Sequence, residues 1–249
     1  MTGAPLAGDS RALRIPPVLV VSGTGTGVGK TVVTAAVAAL AASRGELVAV
    51  VKPAQTGEPP GSTGDLEVIR RLAGSGAIRT VELARFPDPL SPEAAARTAG
   101  RPPLDLAEAA VAVKQLAASA DLVLVEGAGG LLVRYDPAGA TIADLAAMLG
   151  APVLVVTIPG LGTLNHTALT LEALGARRLA AAGVVIGAWP DRPGLAERAN
   201  LTDLAVIAGR PLAGALPAGA GRLDSDAFLA VARGGLGPEL GGAFRSQIR

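Results

Sequence analysis

The chain contains no cysteine. That excludes disulfides, thiolate metal sites and a catalytic thiol, and it fits a reducing compartment, so a cytoplasmic location is expected. Aromatic residues make up only 2% of the 249 positions. The core must therefore be assembled from Ala, Val, Leu and Ile, and there is no set of rings on which bases could stack. Charge of neither sign dominates. The 22 Lys and Arg against 21 Asp and Glu leave a formal net charge of +1, without the basic excess that a nucleic-acid backbone selects. No unbroken apolar run reaches the roughly 18 residues of a membrane span. Neither nucleic acid nor membrane is expected as a partner. The opening sixteen residues are interrupted by Asp9, Arg11 and Arg14. They lack the apolar stretch of a signal peptide and read as a loose N-terminal tail, leaving 17–249 as a single domain.

What is present is a chain that must fold: half its residues are hydrophobic and 17% charged, far from a disordered composition. Short β-branched runs alternate with longer Ala/Leu-rich segments. Strands are expected at Val18–Ser22, Leu47–Lys52, Leu122–Glu126, Val153–Ile158 and Val184–Ala188, with a short last one at Pro211–Leu216. Helices are expected at Lys30–Ser43 (ended by Gly45), Asp65–Ala73, Leu164–Ala182 and Leu195–Ala208. Such alternation implies an α/β fold, doubly wound, with a mostly parallel sheet and helices on both faces. Ligands of these sheets bind at the C-terminal ends of the strands. The Pro/Gly-rich stretches Glu58–Gly64 and Pro87–Pro92 read as surface loops.

Between the first strand and the first helix lies Gly23-Thr24-Gly25-Thr26-Gly27-Val28-Gly29-Lys30-Thr31. The strict phosphate-loop pattern puts Gly five residues before Gly29, where this chain has Thr24; Gly23 lies one position earlier, so the loop is a close variant. Its chemistry survives the shift. Small residues let amides approach phosphate oxygens, the helix N-terminus adds its dipole, Lys30 can reach the β- and γ-phosphates, and Thr31 has the hydroxyl that usually holds Mg²⁺.

Other polar residues fall at strand ends. Glu126 ends an apolar run and precedes Gly127-Ala128-Gly129-Gly130, where a carboxylate can face a ligand crevice and assist a Mg²⁺ ion. Lys52 ends the second strand, before Pro53-Ala54-Gln55-Thr56-Gly57, placed either to stabilise developing negative charge or simply to meet solvent. Thr56 suits a turn as well as a substrate contact. Asp65 opens a helix after a Gly/Ser/Thr-rich loop; by itself this favours an N-cap over a metal ligand. His166, the single histidine, starts an apolar helix without an evident partner and reads as structural, as do Tyr135 and Trp189.

Taken together, the loop Gly23–Thr31, the segment Lys52–Gly57, Val125-Glu126-Gly127-Ala128-Gly129-Gly130 and Gly162-Thr163-Leu164-Asn165-His166 resemble the dethiobiotin synthetase family, over about Val18 to Pro217. The resemblance implies a homodimer with active sites at the subunit interface, and a reaction. Carbon dioxide adds to one amine of 7,8-diaminopelargonic acid, the carbamate takes the γ-phosphoryl group of ATP or another nucleoside triphosphate, and the second amine closes the ureido ring. It further implies that Gly27, Val28, Gly29, Lys30, Thr31 and Val32 hold phosphates. Thr31, Asp65 and Glu126 would gather Mg²⁺, with Gly127, Ala128 and Gly129 beside the nucleotide. Lys52 would be the catalytic lysine and Thr56 a substrate-binding hydroxyl. Gly162, Thr163, Leu164 and Asn165 would meet the substrate carboxylate across the dimer. Gly187, Ala188, Pro217, Ala218 and Gly219 would lie near the base.

Two positions depart from the family. Gly27 stands where some members carry an acidic residue. Ala188 stands where some carry an Asn that reads adenine, which points to relaxed or altered nucleotide choice. The same fold also serves amidotransferase-type synthetases, which usually draw on a cysteine-dependent glutaminase, and partition or division-site ATPase switches, which typically carry a second lysine early in the loop. This chain has neither a cysteine nor a lysine between Ser22 and Thr26.

Overall fold

The computed structural model describes residues 16–74 and 78–245. The expected N-terminal tail, apart from Pro16, lies outside the described residues. The chain runs β1 (Val18–Gly23), α1 (Lys30–Ser43), β2 (Val48–Thr56), α2 (Asp65–Ala73), β3 (Ile78–Phe86), α3 (Pro92–Thr98), α4 (Leu106–Ala117), β4 (Leu122–Gly130) and α5 (Ile142–Leu149). It continues through β5 (Val153–Thr157), α6 (Thr163–Ala176), β6 (Ala181–Trp189), α7 (Leu195–Ala208), β7 (Gly214–Pro217) and α8 (Ser225–Gly235), with a 3₁₀ turn at Ala220–Arg222 and another at Pro238–Leu240.

The seven strands form one sheet in the order β3-β2-β4-β1-β5-β6-β7, and every named pairing is parallel. Alternate residues of each strand feed opposite cores. Leu19, Val21, Val50, Leu124 and Val185 face α1, α2 and α8. Val20, Val51, Val123, Val125 and Ile186 face the layer of α3 to α7. Strands covered on both faces read as continuous apolar runs, which is why β1, β4 and β5 stand out in the sequence. The helix α1 packs against the sheet, α2 and α8, so Val33 through Ala41 are all buried, and small Ala side chains let three neighbours approach at once. Truncating a central residue such as Leu124, fully buried, to Ala would cost about 2–5 kcal/mol.

Helices α1, α2 and α7 have the expected bounds. The expected helix Leu164–Ala182 is shorter. It stops at Ala176, Arg178 turns the chain at φ 56°, and Ala181 and Ala182 already belong to β6. The strand β2 runs on past Lys52 to Thr56 through Pro53. A proline lacks the N–H a central strand needs, but the ladder to β4 ends at Val51↔Val125 and beyond it β2 pairs only with β3. The edge strand β3 and helices α3, α4, α5 and α8 have no counterpart in the sequence reading. No helix among the described residues is long and apolar enough to cross a membrane.

Candidate functional site: a phosphate loop beside a buried lysine–carboxylate cluster

The C-terminal ends of β1, β2 and β4 border one cleft of about 760 Å³. After β1 the loop Thr24–Gly29 leads into α1, anchored by the Thr24 N–H to the Val156 carbonyl (2.9 Å). Gly29, at φ 98°, rests on the tip of β6: a Cβ there would lie 2.8 Å from the Gly187 carbonyl oxygen, and one on Gly187 would collide with the Val28 carbonyl. Only two facing glycines permit this backbone contact, so Gly187 supports the loop. Lys30 curls back to donate to the Gly25 carbonyl at 2.9 Å. Burial, then the neighbouring Lys52 ammonium, lowers its pKa to about 8 against the pull of Glu126 and Asp65.

Lys52 and Glu126, 3% and 0% exposed, project from adjacent strands. The Lys52 ammonium lies 2.9 Å from Glu126 Oε1 and 2.6 Å from Asp65 Oδ2, and donates to the Gly127 carbonyl at 3.3 Å. Burial works against its charge, but the two carboxylates outweigh burial and raise its pKa above the ordinary lysine range. Burial likewise works to raise the Asp65 pKa; the Lys52 ammonium, the Thr31 hydroxyl and the Lys30 ammonium overcome it and hold Asp65 below the usual carboxylate range. The Thr31 hydroxyl faces Asp65 Oδ1 and Glu126 Oε1, each at 3.0 Å.

The N-cap of α2 is Gly64, not Asp65. The first turn is secured by Glu67 accepting from the Gly64 N–H and by Gln55 Oε1 accepting from the Asp65 N–H, both at 2.9 Å. The Asp65 carboxylate is thereby free to enter the cluster. On the other side, the buried Tyr135 hydroxyl accepts the Ala128 N–H at 2.9 Å and fixes the segment after Glu126. Burial raises the Tyr135 pKa, which keeps this phenol neutral. Sequence reading passed over Gln55 and took Tyr135 for packing alone; the only available signal was a polar group beside a candidate ligand.

Two carboxylates and a hydroxyl converging around an ammonium form an oxygen donor set suited to a hard cation. Glu126 Oε2 is buried without a hydrogen-bond partner, an orphaned acceptor of the kind a cation would satisfy. The residues present therefore fit Mg²⁺. Among the described residues no three acidic or histidine side chains gather, so phosphate and water oxygens would complete such an ion's shell.

The cleft walls also include Gly27, Val32, Thr56, Ala128 and Gly129. Pro89, Leu90, Ser91 and Pro92, read from sequence as mere surface loop, join Val133 in lining it. Pro217–Gly219 and Gly162–Asn165 are not among its walls. Pro217 ends β7, and the Ala218 N–H donates to the Trp189 carbonyl at 2.6 Å. Ala188 is exposed. Gly162 N-caps α6, and Leu164 is half-buried and Asn165 exposed. Thr163 is buried in a hydroxyl network with Thr157 at its centre: Thr157 Oγ1 lies 2.7 Å from Thr163, 3.0 Å from Thr167 and 3.2 Å from Thr24 of the phosphate loop. Asn200 of α7 braces the turn before α6, donating to the Pro159 and Gly160 carbonyls at 2.7 and 3.1 Å. His166 is exposed.

A parallel sheet with a glycine-rich loop opening α1, and a lysine–carboxylate cluster on the next strand tips, defines a P-loop nucleotide-using enzyme. A family model described as an AAA domain matches residues 18–221. Among solved structures, the chain is similar to the septum site-determining protein MinD of Pyrococcus horikoshii, with TM-score 0.56 and 17% identity over 90% of this chain and 93% of that one. It is also similar to a ParA family ATPase of Chlorobium tepidum, with TM-score 0.52 and 14% identity over 88% and 89%. At these identities the likeness extends to the fold alone. Sequence relatives are much nearer. The ATP-dependent dethiobiotin synthetase BioD of Frankia casuarinae is 64% identical over 229 residues, covering 92% of this chain and 95% of its own. That of Streptomyces coelicolor is 57% identical over 228 residues, again 92% and 95%. The chain belongs to the dethiobiotin synthetase family.

Proposed function

We propose that the chain is an ATP-dependent ligase of biotin biosynthesis, carboxylating 7,8-diaminopelargonic acid and closing its ureido ring in the cleft between the phosphate loop and Lys52. The observation that carries this reading is the cluster of Asp65 and Thr31 around the buried Lys52 and Glu126, beside Lys30. Carbon dioxide bonds to one neutral amine, which loses a proton to become a carbamate. The carbamate oxygen takes the γ-phosphoryl group and the nucleoside diphosphate leaves. The second amine then attacks the carbonyl carbon, phosphate departs, and the amine's proton goes to solvent. Lys52, kept cationic by its neighbours, stabilises the carbamate and the phosphoryl group in transit; Lys30 and the loop from Gly27 to Val32 orient the phosphates. Thr31, Asp65 and Glu126 would hold Mg²⁺, which when bound supplies charge neutralisation between nucleotide oxygens. Thr56 meets the diamine, and Leu90 and Val133 offer apolar walls to its hydrocarbon chain.

The reading extends to a single domain over 17–249, a cytoplasmic location and a homodimer. Gly162, Thr163, Leu164 and Asn165 would receive the substrate carboxylate of the partner's site. Leu161, 85% exposed at the turn before α6, is an apolar side chain of the kind a partner subunit covers. Gly187, Ala188 and Pro217–Gly219 flank the base. Because the Ala188 side chain offers adenine no hydrogen bond, kcat/KM for ATP, CTP, GTP and UTP should agree within about tenfold; a large ATP preference contradicts this. The direct test is phosphate release with Mg²⁺, bicarbonate and nucleotide, with and without the diamine. Diamine-dependent release yielding a cyclic urea, lost in Lys52→Ala, supports the reading; release indifferent to the diamine overturns it.

A further inference from the structure

Helix α2 is attached at both ends. Its first residue, Asp65, enters the lysine cluster. Its last turn carries Arg71, whose exposed guanidinium donates through Nη1 to the Leu223 carbonyl (2.8 Å) and through Nη2 to the Gly221 carbonyl (2.5 Å). Both acceptors lie in the segment that leaves β7 at Pro217, runs through Ala218-Gly219 and passes through the turn Ala220–Arg222. That segment is held from other directions as well. Ala218 donates to the Trp189 carbonyl, and Ala220 is buried in the core on the α1 side. A Cβ on Gly221 would lie 3.2 Å from Val32 Cγ2, and Val32 lines the cleft in the first turn of α1. The segment is thus gripped between the phosphate-binding helix and Arg71. A long cation on an exposed helix face has water enough for its donors. Here the planar fork engages two carbonyls two residues apart, which fixes a turn in a way a lysine's single ammonium cannot.

We propose that Arg71 is a positioning residue for the nucleotide. By holding Gly221 and Leu223 it sets the Pro217–Gly219 segment at the separation from α1 that receives the nucleoside portion, while the phosphates are held independently by the loop and Lys30. This rests on the nucleotide-ligase reading above. It predicts that loss of Arg71 weakens recognition of the nucleoside and leaves recognition of the phosphates intact.

The test uses the full chain and its Arg71→Gln and Arg71→Lys variants, with inorganic tripolyphosphate as a probe that has phosphates and no nucleoside. Equilibrium titration should show ATP and CTP binding weakened about tenfold in Arg71→Gln, the scale of losing charge-assisted hydrogen bonds, with Arg71→Lys recovering only part. Tripolyphosphate affinity should stay within about twofold of the unaltered chain. In diamine-dependent turnover, nucleotide KM should rise with kcat at saturation and diamine KM unchanged. Unchanged nucleotide affinity overturns the proposal, and so does an equal loss for nucleotide and tripolyphosphate, which would mark a general disturbance. If the unaltered chain shows no diamine-dependent release, the ligase reading fails by itself, and the two titrations still decide whether Arg71 positions the nucleoside side.

Discussion

Two polar clusters sit at strand tips of the same sheet, on either side of β1, and are built on opposite principles. At β2 and β4 the groups are charged: Lys52 is packed among Glu126, Asp65 and Thr31, with one carboxylate oxygen left unpartnered. At β5 they are neutral. The Thr157 hydroxyl has three hydroxyl neighbours, which uses its one donor and two acceptor positions fully. The first cluster is held together only because opposite charges meet, and it keeps an unfilled acceptor for something still to arrive. The second is complete as it stands. An incomplete polar cluster in a cleft marks where chemistry is to happen, and a saturated one beside it marks scaffold.

The largest contrast should come from Lys52→Ala. Diamine-dependent phosphate release should fall about a thousandfold, the scale of losing a major electrostatic stabiliser of a transition state. Removing the ammonium also takes from Glu126 and Asp65 the one cation paired directly with them and leaves only the Lys30 ammonium nearby, so stability should drop by about 3 kcal/mol. Adding Mg²⁺ should return part of that stability in the variant, since the same oxygens would then face a cation again. Denaturant melts with and without Mg²⁺ check this; a variant as stable as the parent would mean that the charged cluster is not held by its own ion pairs.

Thr157→Val breaks the other cluster. Valine fills the same volume and strands three hydroxyls, two of them on the fully buried Thr163 and Thr167, so the loss should be about 1–3 kcal/mol. Thr157→Ser, which keeps the hydroxyl, should recover most of it. Added Mg²⁺ should restore nothing in either variant. A metal-dependent recovery in Thr157→Val would erase the distinction between the two clusters.

The charged cluster was legible in the sequence and the neutral one was not. Lys30, Thr31 and Glu126 follow a glycine-rich loop or an apolar strand and point to a ligand by themselves, whereas Lys52 at its strand end suits solvent equally well until the family resemblance decides. Asp65 needed the family resemblance, because a carboxylate at a helix start reads as a cap until Gly64 is seen in that place. Thr157 ends its strand as ordinary threonines do; its role comes from Thr163 and Thr167 across the turn into α6 and from Thr24, 133 residues away, and no local pattern encodes that last meeting. Thr24 itself was visible as a departure from the strict loop pattern, but its use was not. The same division holds for the fold. Strands buried on both faces announce themselves, whereas β3, at the edge with Arg79, Glu82 and Arg85, lacks the apolar run that marks β1, β4 and β5. The eight-residue α5 is too short for its apolar spacing to separate a helix from a strand or loop.

The smallest effect concerns Lys30, which lies between the two clusters on the phosphate loop. Its pKa of about 8 in the free protein is below its ordinary value, so the folded chain carries a burial penalty that is fully present below pH ~8 and is relieved as the pH rises toward ~10.5. Nucleotide binding should run the other way, because triphosphate needs the ammonium. With a chelator present to exclude metal, affinity for ATP should fall about tenfold as the pH is raised from about 7 to about 9, with uptake of up to one proton on binding. Lys30→Arg, whose guanidinium stays charged throughout, should bind with a flat profile over that range. Titration calorimetry in buffers of different ionisation enthalpy measures both quantities. A flat profile in the unaltered chain would mean that Lys30 is already charged when nucleotide arrives, and that its bond to the Gly25 carbonyl, not burial, sets its state.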